Sequence, residues 1–313
     1  MSTEESPRAV VAALLANLGI ALTKVLAFVL TSSASMLAES IHSFADSGNQ
    51  VLLLLGNKRS KRAPTSQHPF GFSRERYIYA FIVSIVLFSV GGIFALYEAY
   101  HKFQEVREGH PNELLTSRWW WVPIVVLVAA IGMESLSLRT AVQESNKWRG
   151  DVGWVSFVRR AKSPELPVVL LEDVAALLGL VLALFGVGLT LLTDSGYWDV
   201  AGTAAIGLLL VAVAVALGIE MKSLLLGESA HLEDQQSIAA AIVGVEDGLQ
   251  IINLQTLQLG PGSILVACKI AVLPTDTAAE LADAINAAEV RIREAVPDAT
   301  YVFIEPDIRR SES

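Results

Sequence analysis

SMLAESIHSFADSGNQVLLLLG, residues 35–56, decides how the rest of the chain is read. Its length and apolar character suffice to cross a bilayer, for which about 20 residues are needed. Yet it carries Glu39, His42 and Asp46. Ionisable side chains are costly in hydrocarbon, and those that occur there face a bundle interior or a wet cavity and act in it. His42 and Asp46 are four residues apart, so a helix projects both from one face, one turn apart. An imidazole and a carboxylate so placed can bind a divalent ion or pass a proton.

Five further segments of similar length flank this one: Ala9–Thr31, Tyr77–Tyr100, Trp119–Leu138, Leu166–Leu192 and Trp198–Ile219. Composition agrees, with 53% hydrophobic and 18% charged residues over 313 positions, against about 45–50% and about 25% in soluble domains. Ser32, Ser33 and Ala34 leave only a tight hairpin before the central stretch. Trp119 to Trp121, Tyr197 and Trp198 suit the aromatic belt of a membrane interface. The expected fold is therefore an α-helical membrane protein with six transmembrane helices.

Orientation follows from lysine and arginine in short loops. The connection after the second span holds Lys58, Arg59, Lys61, Arg62, Arg74 and Arg76, and that after the fourth holds Arg139, Lys147, Arg149, Arg159, Arg160 and Lys162. In the third-to-fourth connection, Lys102, Arg107 and Arg118 are offset by Glu105, Glu108 and Glu113. Both basic loops fall on one side, so both termini are expected in the cytoplasm. MSTEESPRAVV lacks the basic start of a secretory signal, so residues 1–8 read as a retained tail.

After Gly227 the pattern changes. Fourteen acidic and five basic residues there account for the whole net charge of −9, which disfavours nucleic acid as a partner. Asp234–Val245 reads as an amphipathic helix. Leu249–Leu259 and Ser263–Leu273 read as strands joined by the turn Gly260-Pro261-Gly262. Thr277 and Glu280 form a capping-box pattern opening a helix to about Val296, and Ala299–Ile304 reads as a last strand. The domains expected are a helical membrane region over residues 9–222 and a small α+β domain and tail over residues 223–313. Cys268, the one cysteine, excludes a disulfide framework and a cysteine-rich zinc module, and within VACKIAV it reads as core.

A second acidic pair, Glu172 and Asp173, interrupts the fifth apolar run in PVVLLEDV. Helix neighbours diverge by about 100°, so one is expected at a metal site and the other at a helix interface or proton route. His42, Asp46 and Asp173, with Glu172 or water, would make a four-coordinate nitrogen and oxygen site suited to zinc and tolerant of other first-row divalent ions. Without a thiolate it disfavours copper(I). Glu39 and Glu134, each taken alone, read as interhelical hydrogen-bonding groups, and Asn17, Asn49 and Gln50 offer partners for buried acids.

These residues bring out a resemblance to the cation diffusion facilitators, carried by SMLAESIHSFAD, by HPFGFSRER at His68–Arg76, and by LLEDVAALLG. The Glu-Asp form of the last motif, with VRRAKSPELPVVLLED before it, resembles the subgroup that contains the animal mitochondrial zinc transporter. The resemblance implies a homodimer exporting divalent metal in exchange for protons by alternating access, with a cytoplasmic ferredoxin-like C-terminal domain that dimerises. Zinc is the cargo expected; no resident cofactor is. His42 and Asp46 match one ligand pair of the family and Asp173 the later member of the other. Its usual partner, often histidine, falls on Val169, and Glu172 is the nearest replacement. His68 matches one ligand of a secondary site in some members, but its companions fall on Thr65 and Phe72, so the loop reads as structural, anchoring basic residues at the membrane surface. Glu39 is a secondary candidate. His231, Glu305 and Asp307 are too few for the metal cluster many relatives carry. The expected location is a bacterial plasma membrane. Alternatives are an exporter preferring manganese, iron or cobalt, a metal-responsive scaffold or regulator, and an intramembrane metalloprotease, against which the lack of HExxH counts.

Overall fold

The computed structural model describes residues 7–110, 113–244 and 250–308. The expectations placed on residues 1–6, Val245 and Leu249 lie outside them. Two compact units divide the chain: one from residues up to Gly56 and from Tyr79 to Met221, the other from Asn57–Ile78 and from Lys222 onward.

The first unit is helical: α1 (Pro7–Thr31), α2 (Ala34–Gly56, running on to Ser60), α3 (Glu75–Val86), α4 (Phe94–Arg107), α5 (Glu113–Thr116), α6 (Val122–Arg149), α7 (Trp154–Arg160), α8 (Glu165–Thr193) and α9 (Tyr197–Leu226). Among the described residues, four stretches are long and apolar enough to cross a membrane: Glu75–Arg107, Val122–Lys147, Glu165–Thr193 and Tyr197–Leu226. Of α1, the described apolar part is Asn17–Thr31, which is shorter. In α2 the half before Gly56 devotes a stripe to Ser35, Glu39, His42, Ser43 and Asn49, which lowers its apolar content. α1 already includes Pro7, and proline is at home in a first helical turn. Trp119 to Trp121 form a turn ahead of α6 rather than its first residues.

Ser32 takes a left-handed conformation (φ 48°) to close the α1–α2 hairpin. The start of α2 is capped from far along the chain. Asp199, in the first turn of α9, accepts hydrogen bonds from Ser33 Oγ (3.0 Å), Ala34 N (3.0 Å) and Ser35 N (3.3 Å). It thereby satisfies donors that a helix N-terminus leaves unpaired. A π-helical segment, Leu87–Ile93, joins α3 to α4. There Gly92 lies so close to α9 that a Cβ would stand 2.7 Å from a Val211 methyl; the absent side chain lets the two helices touch.

The second unit contains α10 (Leu232–Val243), β1 (Gln250–Gly260), β2 (Ser263–Ala271), α11 (Ala278–Ala295) and β3 (Tyr301–Asp307). β2 is central, antiparallel to β1 and parallel to β3. Its side chains alternate inward, putting Ile264, Val266, Cys268 and Ile270 against Ile238, Ile242, Ala288 and Ile292. Thr277 and Glu280 make the expected reciprocal capping box, and those hydrogen bonds hold the Glu280 carboxyl below its ordinary range. Cys268 is core as expected, and burial pushes its thiol up to about 11.

Residues 57–78 belong to this same unit. The Phe70 ring meets Tyr301 edge-on at 5.2 Å. Ser73 sits so close to Gly260 that a Cβ there would be 2.4 Å from its own. The loop is packed on the sheet, where the ring of Phe70 and the bare backbone at Gly260 give it a seat.

Candidate metal site

The site begins with the polar stripe of α2. His42 is 1% exposed, and its Nδ1 stands 3.5 Å from Asp46 Oδ1. Neither ring nitrogen of His42 has a hydrogen-bond partner, nor has that Asp46 oxygen. Nine in ten buried polar atoms find a partner, so three orphaned atoms within one helical turn mark a place built for a ligand.

Asp46 borders a cavity of about 30 Å³ that Glu172 and Asp173 of α8 and Glu134 of α6 also line. Both members of the acidic pair reach it, contrary to the expected division of labour. The longer glutamate side chain compensates for the different direction of its Cα–Cβ bond. Each is held by a different helix: Asn49 donates to Glu172 Oε1 at 2.7 Å, and Ser137 donates to Asp173 Oδ2 at 3.0 Å. Asn49 is thus the partner foreseen for a buried acid. Val169 lines the same cavity and contributes only hydrocarbon. His42 stands behind Asp46 and does not border the cavity. Among the described residues, no three of these groups converge closely enough to hold one ion.

Glu39 is spent elsewhere. The Lys24 ammonium of α1 lies 3.0 Å from Glu39 Oε2 and donates to Ser43 Oγ at 2.7 Å; both charged side chains are fully buried. Gly179, which ends the LLEDVAALLG motif, makes room for this pair, since a Cβ there would stand 2.8 Å from Glu39 Oε1. Glu39 therefore enters the bundle as half of an ion pair rather than as a flanking metal ligand. Glu134 differs from its expected role in the opposite sense: it lines the cavity rather than bridging helices.

His68 is exposed and built into its turn. Its amide donates to Thr65 Oγ1 at 3.1 Å and its ring packs 4.7 Å from Phe72, over which Arg62 lies at 4.5 Å. In the C-terminal domain, His231 is exposed at the start of α10. Glu305 and Asp307, read as solvated, each stand 3.2 Å from Lys269 Nζ, and they raise that lysine above its ordinary value.

A helical bundle enclosing buried acids and a histidine is the kind of frame that moves cations, and comparison with known proteins gives it a family. The cation efflux transmembrane domain matches residues 10–226, and the chain belongs to the cation efflux family. It is 34% identical over 218 residues to the proton-coupled zinc antiporter SLC30A9, mitochondrial, of Xenopus laevis, covering 69% of this chain and 37% of that protein. To the human protein of the same name it is 32% identical over 243 residues, 77% of this chain and 41% of the relative. To metal tolerance protein C4 of Arabidopsis thaliana it is 27% identical over 272 residues, 86% and 58%. The chain thus spans about two-fifths of the length of the first two relatives. The family is one of transporters, and the intramembrane protease reading falls with that. The expected bacterial plasma membrane is overturned as well: the antiporters it matches are named as mitochondrial. A multi-pass membrane protein is what stands.

Proposed function

We propose that the chain exchanges a divalent metal ion, zinc first, for protons across its membrane. The observation that carries this reading is the cavity that Asp46, Glu172 and Asp173 line, backed by a buried His42 with two unpartnered nitrogens. His42 supplies a neutral nitrogen, Asp46 and Asp173 supply oxygens that compensate the ion's charge, and Glu172 contributes through the oxygen that Asn49 leaves. Metal and protons compete for the same lone pairs, so loading the ion releases protons and unloading it recovers them. The names of the matched relatives, proton-coupled zinc antiporter and metal tolerance protein, support the same class of cargo.

The reading takes six spans, with α1 and α2 added to the four clearly apolar stretches. At 27 residues, α2 extends about 40 Å, enough to cross. It puts both termini on the arginine- and lysine-rich side and the domain boundary near residue 222. The C-terminal domain, of ferredoxin-like type, pairs two copies and carries no metal cluster.

Proteoliposomes test it. Zinc entering the lumen should be matched by protons leaving, so the lumen alkalinises in step with uptake. His42→Ala combined with Asp173→Ala should reduce uptake to the level of empty liposomes; unchanged uptake would sink the assignment. A chain that binds zinc yet moves none would instead be a metal-responsive regulator.

A further inference from the structure

We propose that Glu134 of α6 is a metal-contacting, specificity-determining residue that supplies the donor Val169 lacks. The inference rests on the reading of the cavity as the transport site and goes beyond it, since the matched ligand positions lie on α2 and α8 alone. Val169 stands one turn before Asp173 and borders the cavity with two methyl groups. One carboxylate oxygen of Glu172 is occupied by Asn49. One oxygen of Asp173 is likewise taken by Ser137, so the α8 helix offers part of two carboxylates, and a four-coordinate site is short of a donor.

Glu134 fills that place from the opposite wall. It lines the same cavity as Asp46, Glu172 and Asp173. Ser137, one turn later on the same face of α6, is hydrogen-bonded to Asp173, which fixes that face toward the acidic pair. Among the described residues, no hydrogen bond or ion pair engages the Glu134 carboxylate, unlike Glu39, which Lys24 holds. Independently of the acids, His42 is 1% exposed with both nitrogens unpartnered and its Nδ1 directed at the Asp46 carboxylate that borders the cavity. The donors that line the cavity are thus the carboxylates of Asp46, Glu134, Glu172 and Asp173, with the His42 nitrogen behind Asp46. Such a set shifts preference from zinc toward harder ions such as manganese, which favour oxygen.

The test uses the full chain in liposomes, with zinc and manganese as probes, measuring equilibrium binding as well as uptake. Glu134→Gln keeps the shape and removes the charge. It should weaken binding of both ions by roughly 10-fold or more, the scale on which supporting groups tune metal sites, with manganese losing more than zinc. Adding Val169→His to Glu134→Gln should restore zinc and leave manganese weak, because imidazole replaces a hard oxygen with a borderline nitrogen. Asp173→Asn is the reference. If it abolishes binding while Glu134→Gln binds both ions as the parent does, the inference about Glu134 is wrong and the transport site stands. If Asp173→Asn also binds normally, the cavity is not the site and both fail.

Discussion

The helical bundle and the C-terminal domain distribute charge in opposite ways. In the bundle, Lys24 and Glu39 are fully buried, and His42, Glu172 and Asp199 nearly so. Among the described residues of the domain, no charged side chain is buried; its core is Ile238, Ile242, Val266, Cys268, Ile270 and Ile292, and Lys269, Glu305 and Asp307 meet outside it. Burying a charge is expensive unless it is paired. The bundle bears that expense at a few positions: Lys24 has Glu39, Asp199 has the start of α2, Glu172 borders the cavity, and His42 stands behind Asp46, which borders it. Among its described residues the domain bears none of it, and its core is apolar. Unpaired charge in the bundle gathers at the cavity, whereas charge on the domain lies at its surface.

The largest test of this contrast is Lys24→Met. It strands the Glu39 carboxylate in the bundle and should destabilise the protein by about 3–5 kcal/mol, read as a lowered melting temperature in detergent. Adding Glu39→Gln should recover most of the loss; a single variant as stable as the parent would break the comparison. Next comes Cys268. With its thiol pushed from an ordinary value near 9 up to about 11, it holds roughly 100-fold less thiolate at pH 8 than a free cysteine, and only the thiolate reacts. Alkylation in the folded protein should be slower by that factor and recover in denaturant. Equal rates before and after denaturation would mean that the domain core is open. The smallest effect belongs to Lys269→Met, which removes an exposed pairing with Glu305 and Asp307. Exposed pairs are screened by water, so no measurable shift in melting temperature is expected. A clear drop would show that surface charge matters here more than the contrast allows.

Several of these features are legible in residues read alone. The capping box at Thr277 and Glu280 needs only local spacing, and it appears where that spacing puts it. His42 and Asp46 share a helical face by periodicity, and Cys268 lies in an alternating strand. Lys24 was missed because a lone lysine in an apolar run suggests nothing by itself. Hairpin arithmetic would have found it: it lies eight residues before Ser32, while Glu39 and Ser43 lie six and ten after Ser33. Equal rise on both arms sets Lys24 level with the space between them. A lone Glu134 reads as an interhelical bridge because polar groups in spans commonly join helices. Only the packing of α6 beside α8, marked by Ser137 on Asp173, turns its face to the cavity. Asp199 could not be paired with α2 by any local rule, since 165 residues separate it from Ala34. The seat of residues 57–78 on the sheet escaped for the same reason.

That last separation has a bearing on how the chain is made. The helix bearing His42 and Asp46 cannot acquire its cap when it first leaves the ribosome. Asp199 is synthesised 165 residues later than Ala34, about 8–33 s at roughly 5–20 residues per second. Throughout that interval the amides of Ala34 and Ser35 need water, lipid headgroups or the insertion machinery to satisfy them. The helix that carries His42 and Asp46 is thus secured only once α9 arrives, so a nascent chain halted before residue 199 would hold that helix with its first turn still unfastened.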